Sequence, residues 1–208
     1  QGLAIRSDYK VNIWAYARVD TIGNDRAFLD AMKAGGVNWL CLGIESASQH
    51  VRDGADKKYG NEDIVAAVRR IQAAGIYVIG NFIFGLPDDT PVRMQETLDL
   101  ALGLRCEYAN FYSAMAYPGS PLYVQAKTEG RQLPATWADY SQHGYGCLPL
   151  ANDHCSSEDI LRFRDQAFQR YFTDPGYLGM VKSRFGQPVV DHIGRMVSIP
   201  LRRRLLGD

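Results

Sequence analysis

The first half of the sequence repeats one pattern: an apolar, β-branched or aromatic run, a turn, then an amphipathic stretch that ends at glycine. That alternation commits a chain to βα units on a parallel sheet. Lys10 to Val19 reads as a strand, and Asn24 or Asp25 can cap a helix that carries Phe28, Leu29 and Met32 and stops at Gly35-Gly36. Val37 to Ile44 is nearly continuous in apolar character, as a strand buried on both faces should be. Asn61 can cap a helix with Ile64, Val65, Val68 and Ile71 in one stripe, ended by Ala73-Ala74-Gly75. Ile76 to Phe84 is a third strand, followed by the loop Gly85-Leu86-Pro87-Asp88-Asp89 and a helix capped by Thr90 with Pro91 at its first position. Tyr108 to Ala116 is a fourth strand, and Tyr117-Pro118-Gly119-Ser120-Pro121 its exit loop, with both prolines fixing the turn.

Beyond this the rhythm fails. Pro134 to Leu150 is rich in Pro, Gly, Tyr and His and reads as irregular, while Ser156 or Ser157 begins a helix that runs to about Phe172. Thr173-Asp174-Pro175 breaks it, and one or two shorter helices finish the chain. The expected fold is α/β: a partial (β/α) barrel of about four parallel strands with covering helices over residues 1–130, then an irregular segment and helical C-terminal extension over 131–208. Four strands do not close a barrel. With a strand so near its first residue, the chain reads as part of a longer polypeptide.

Lys plus Arg equals Asp plus Glu, so net charge offers no argument for nucleic acid or an acidic membrane surface. Cys41, Cys106, Cys147 and Cys155 form no C-x-x-C pair, and no stretch has the apolar length to span a bilayer. A soluble, cytoplasmic protein is the expectation. His143, Cys147, His154 and Cys155 match no standard zinc spacing, so a loop without metal is the preferred reading there. Arg202-Arg203-Arg204 reads as a solvated helical face, with an anionic partner as the lesser reading.

In parallel α/β folds ligands bind beyond the carboxyl ends of the strands. Those ends are polar here: Arg18 in Ala17-Arg18-Val19-Asp20, Glu45 in Gly43-Ile44-Glu45-Ser46, and Asn81 in Asn81-Phe82-Ile83-Phe84-Gly85-Leu86-Pro87. Charged residues are rarely buried unless paired, so Arg18 and Glu45 either neutralise each other or meet a polar ligand, and the two can coexist. Alternation along the third strand sets Asn81, Ile83 and Gly85 on one face and Phe82 and Phe84 on the other.

These segments, together with Tyr117-Pro118-Gly119-Ser120-Pro121-Leu122-Tyr123, resemble the radical SAM superfamily, in particular the branch often preceded by a cobalamin-binding domain. The resemblance covers the first two-thirds of the chain and extends to Phe163-Arg164-Asp165 through Tyr171-Phe172. It implies a βα barrel that binds S-adenosylmethionine on a four-iron four-sulfur cluster held by a C-x-x-x-C-x-x-C motif. No such motif occurs in this sequence; a cluster loop upstream of Gln1 is the ordinary explanation and a degenerate homologue without a cluster the lesser one, and neither metal ligands nor catalytic residues are assigned here.

By the same resemblance Glu45 accepts from ribose hydroxyls with Ser46 supplementing it, and Arg18 orients Glu45 or meets the methionine carboxylate. Asn81, Ile83 and Gly85 cradle adenine, while the fourth strand exit borders it, with Tyr112, Met115 and Tyr117 on the substrate side. The implied whole is an enzyme that cleaves S-adenosylmethionine reductively and acts on an unknown small-molecule substrate, with methyl transfer and cobalamin left open. Its partners are a reductant and the remainder of the polypeptide. A (β/α) barrel enzyme on a sugar or phosphorylated metabolite and a non-catalytic nucleoside-binding module are the competing readings. A cysteine motif encoded upstream favours the first of the three.

Overall fold

The computed structural model describes residues 11–22, 25–54 and 59–208, so Lys10 and Asn24, named above at a strand start and a helix cap, lie outside the described residues. Four strands, β1 (Ile13–Arg18), β2 (Val37–Glu45), β3 (Tyr77–Phe84) and β4 (Tyr108–Ser113), form one all-parallel sheet in sequence order. The helices between them are α1 (Arg26–Ala34), α2 (Gln49–Gly54), α3 (Asn61–Ala73) and α4 (Pro91–Leu104). After β4 come α5 (Pro121–Thr128), α6 (Ser157–Phe172), α7 (Pro175–Phe185) and α8 (Gln187–Val197).

One face of the sheet is buried under helices. Leu40, Leu42 and Ile44 of β2, Val78, Phe82 and Phe84 of β3, and Phe111 of β4 share a core with Ile64, Val68 and Ile71 of α3, Leu98 and Ala101 of α4, and Ile160 and Tyr171 of α6. Each Leu, Ile, Val or Phe side chain among them contributes about 1.5–3 kcal/mol on leaving water, which fixes strand register because a one-residue slip would turn the whole set outward. Helices α6 to α8 therefore belong to the same core as the sheet, with Tyr177, Val181 and Ile193 in it.

The opposite face presents side chains in transverse rows. Tyr16, Cys41, Ile79 and Tyr108 align across the four strands, and above them Arg18, Gly43, Asn81 and Asn110. Low in the sheet, Trp39 and Tyr77 are covered by Phe185 of α7, with ring centroids 6.1 and 4.9 Å away. The rows toward the carboxyl ends are left open.

Several local expectations are corrected by competing polar chemistry. The cap of α3 is Gly60, whose N–H donates to the Asp63 carboxylate, because the Asn61 side chain is engaged by Arg52. Ser120 and Pro121 start α5, with the Ser120 hydroxyl accepting from the Tyr123 N–H, so Pro121 does more than fix a turn. Asp174 and Pro175 begin α7 in the same way. Strand β4 ends at Ser113, three residues early, where the Gln142 amide takes both its backbone groups: Ser113 N–H donates to Oε1 and Nε2 donates to the Ser113 carbonyl, each at 2.9 Å. The Arg164 Nε–H caps the Phe111 carbonyl at 2.8 Å.

The arginine run is no solvated helical face. Arg203 is 1% exposed and grips both oxygens of Asp165 at 2.9 and 2.8 Å, while its Nη1 donates to the carbonyls of Gln142 and Gly144. The cysteines and histidines nearby go to separate neighbours: Cys147 packs with Met115 and Leu161, Cys155 joins the main core, and His143 bonds Arg164. No described helix is long and apolar enough to cross a membrane.

Two predictions concern the loop after β3. Gly85 adopts φ +83°, and an added Cβ would lie 2.5 Å from Cδ1 of Ile160. Gly85→Ala is therefore expected to cost about 1–3 kcal/mol in denaturant unfolding, from overpacking and backbone strain together. Asp89 is fully buried and accepts from the Gly85 and Thr90 N–H groups, and burial pushes its pKa up to about 6. A carboxyl raised in the folded state stabilises most at low pH and loses that share as pH climbs through the folded value. Thermal melts of the native chain should thus fall relative to Asp89→Asn between about pH 4 and 6; parallel curves would reject the shift.

Candidate ligand-binding site

The carboxyl ends of the strands enclose an open cleft of about 610 Å3, lined by Tyr16, Ala17, Arg18 and Thr21 from β1 and its exit, Gly43 and Glu45 from β2, Asn81 and Ile83 from β3, and Tyr112 from β4. Of the residues expected at a ligand site, Arg18, Glu45, Asn81, Ile83 and Tyr112 come together here, drawn from all four strands.

Glu45 is the unusual one. The β2–β3 pairing runs Gly43 to Asn81 and then Glu45 to Phe82, so Ile44 is an extra residue in β2. This bulge coincides with a left-handed backbone at Glu45, φ +67°, a region that costs a side-chain-bearing residue about 1–2 kcal/mol. Ile44 stays in the core at 0% exposure while Glu45, half-buried, lines the cleft. Backbone strain of this kind persists only where the surroundings over-determine it and concentrates at functional positions.

Arg18 holds Asp20 in a two-pronged contact, Nε to Oδ1 at 3.0 Å and Nη2 to Oδ2 at 2.9 Å, and the Thr21 hydroxyl returns to the Arg18 carbonyl. The Asn81 amide is held by protein: Nδ2 donates to the Leu42 carbonyl and the Cys41 sulfur at 3.2 Å, and Oδ1 accepts from Asn110 at 2.9 Å. It stiffens the cleft floor while keeping an edge in the lining. Burial raises the Cys41 thiol pKa against its contacts with Asn81 and Tyr16, and burial likewise raises that of the Tyr112 phenol, so both stay protonated near neutrality.

Ser46, Gly85 and Tyr117 are placed elsewhere. Ser46 is fully buried with its hydroxyl 3.1 Å from that of Thr97 on α4. The close approach at Gly85 is to Ile160. Tyr117, 48% exposed, stacks on Tyr140 at 5.7 Å, and Met115 turns into the small core with Cys147. Tyr16, Gly43 and Thr21 entered the lining unforeseen. Tyr16 was legible in principle, two residues before Arg18 on the same strand face.

Among the described residues no group of three or more His, Cys, Asp or Glu side chains is placed to hold a metal ion. The cleft offers a carboxylate, a guanidinium, an aliphatic surface at Ile83 and two phenols: the equipment of a polar small-molecule site.

A parallel βα sheet covered by helices on one face, with a polar cleft at its carboxyl ends, has the architecture of part of an α/β barrel. The chain matches the radical SAM superfamily model over residues 8–101. It is 30% identical over 165 residues to an uncharacterised methyltransferase of Pyrococcus horikoshii, covering 79% of this chain and 35% of that protein. It is 25% identical over 136 residues to the anaerobic magnesium-protoporphyrin IX monomethyl ester cyclase of Cereibacter sphaeroides, covering 65% and 21%. The chain thus spans roughly a third or less of the length of these curated relatives. Among solved structures, the radical S-adenosylmethionine methyltransferase TsrM from Kitasatospora setae, with cobalamin and a [4Fe-4S] cluster bound, shares the fold at TM-score 0.52 and 20% identity, over 73% of this chain and 28% of that one.

Because Glu45 occupies left-handed space, glycine is the residue its backbone favours. Glu45→Gly is expected to unfold at higher denaturant than Glu45→Ala by about 1 kcal/mol. Equal midpoints would show that the conformation carries no strain.

Proposed function

We propose that this chain is the S-adenosylmethionine-binding part of a radical SAM enzyme, in which Glu45 receives the ribose hydroxyls, Ile83 packs on the purine and Arg18 orients the polar end of the cleft. The observation that carries this reading is the strained, bulge-borne Glu45 lining a cleft of small-molecule size. A half-buried carboxylate accepts two vicinal hydroxyls through charge-assisted hydrogen bonds, the stronger kind. Ser46, Gly85 and Tyr117 then serve the site from behind, through the backbone of the strand exits and the loops that carry them.

The lining fits the nucleoside but the described residues do not fit the cluster. Cys41, beneath the cleft, is buried, bonded to Asn81 and raised in pKa, whereas cluster ligands are thiolates. Three liganding cysteines are accordingly assigned to a part of the polypeptide before this one, as the family resemblance implies. Such a cluster, once bound and reduced, would supply the one electron that cleaves S-adenosylmethionine, with methionine as one product. This chain's residues bind and orient the nucleoside, and the neutral Tyr112 and Cys41 keep further charge away from it.

In this reading residues 1–130 supply barrel wall, and 131–208 are an extension that closes the β4 side through Gln142 and Arg164. The substrate is a small molecule; methylation with cobalamin is the favoured reaction class, in keeping with the methyltransferase named among the relatives. Four free, buried cysteines accord with a reducing, cytoplasmic setting that supplies the cluster's reductant.

Calorimetric titration of the full-length protein with S-adenosylmethionine tests the assignment. Glu45→Gln should weaken binding at least about tenfold, the loss of a hydrogen bond to a charged group, with the melting temperature preserved. Unchanged affinity would return Glu45 to a structural role.

A further inference from the structure

Two residues outside the cleft lining hold the strand end that presents Glu45. The Tyr59 hydroxyl donates to the carbonyl of Gly43 at 2.7 Å, two residues before Glu45. On the other side, Arg52 donates through Nη1 to the carbonyl of Ser46 at 2.6 Å, the residue after it. The two are joined to each other: Arg52 Nε and Nη2 both donate to the Tyr59 carbonyl, at 3.2 and 2.9 Å. Asn61 Oδ1 and Gln49 Oε1 take further guanidinium N–H groups at 2.7 and 2.9 Å. A closed bracket of hydrogen bonds therefore spans the bulge, with Glu45 at its centre.

Neither residue is an ordinary filler of its place. Arg52 is 1% exposed, and these five hydrogen bonds all go to neutral oxygens. Burying a guanidinium is costly, and an apolar side chain of similar volume usually serves stability as well or better. What an apolar side chain lacks is the rigid fork that addresses several backbone carbonyls in fixed directions. Tyr59, 6% exposed, sends its one polar atom to the strand edge beside the bulge. From the α4 side, the Thr97 hydroxyl accepts from the Ala47 N–H at 2.9 Å and completes the hold on the exit loop.

We propose that Arg52 and Tyr59 are positioning residues, which force Glu45 into its left-handed conformation and so set its carboxylate for the nucleoside. The second half of this statement rests on the reading of the cleft given above; the first half does not. The bracket acts through backbone carbonyls, so it shifts the geometry of Glu45 without touching the ligand.

Two double-mutant cycles on the full-length protein separate these parts. In the ligand-free cycle, Glu45→Gly is made in the native and in the Tyr59→Phe background, and unfolding midpoints are compared. If Tyr59 helps to enforce the strain, the gain from glycine shrinks once its hydroxyl is removed. An equal gain in both backgrounds overturns the bracket. In the binding cycle, calorimetry with S-adenosylmethionine should show Tyr59→Phe about fivefold weaker, the scale of one hydrogen bond, with no further loss when Glu45 is already alanine. Arg52→Lys, which keeps the charge but not the fork, should behave like Tyr59→Phe. An equal loss with and without the Glu45 carboxylate overturns the positioning role. If the native protein takes up no S-adenosylmethionine, the cleft reading falls, and the ligand-free cycle still decides whether the bracket exists.

Discussion

Everything in this structure follows from a parallel sheet that buries one face under helices and leaves the other for chemistry. Strands joined by helical crossovers must carry those helices on a face, and here α3, α4 and α6 share one apolar core with Leu42, Ile44, Phe82, Phe84 and Phe111. The alternation that drives these side chains inward drives Arg18, Glu45, Asn81 and Ile83 to the opposite side. Core and cleft are thus two halves of one periodicity. At the top of β2 the periodicity is broken by one extra residue, and the break falls where Glu45 lines the cleft.

Much of this was legible in the residue order. The four strands and the long helices follow from hydrophobic period and caps, and Thr90-Pro91 starts α4 as expected. The same chemistry at Ser120-Pro121 reads as a turn in the sequence because a helix of only eight residues offers too little apolar stripe to declare itself. Strand-end arithmetic located five residues of the cleft while it stayed within strands. It failed at Ser46, Gly85 and Tyr117, which lie beyond the strand ends, where alternation no longer says which way a side chain turns. Gly85 shows the difficulty well: a glycine with positive φ after a strand signals close approach, but the sequence does not say that the approaching group is Ile160.

Long-range polar contacts were not legible at all. Nothing in the spacing of Arg52, Tyr59, Gly43 and Ser46 announces that two side chains will seek two carbonyls, since backbone acceptors carry no sequence mark. The burial of Arg203 against Asp165 is hidden for the same reason: three consecutive arginines look like a charged surface until a carboxylate 38 residues away is folded beneath one of them. Buried guanidinium groups recur in this chain at Arg52, Arg164 and Arg203, each holding backbone carbonyls: those of irregular segments for Arg52 and Arg203, and that of Phe111 on the outermost strand β4 for Arg164. Where regular hydrogen bonding stops, a forked cation takes it over.

The Gln142 amide on β4 carries this substitution furthest. With one N–H and one C=O spaced like those of a peptide, it pairs with Ser113 as a neighbouring strand would. A bare sheet edge is a template on which a second molecule can continue the ladder. One side chain, borne on a loop, withdraws that invitation at the end of β4. It follows that this end of the sheet is finished by a side chain rather than by a further strand, and the loop that bears it is itself tied to the C-terminal segment through Arg203.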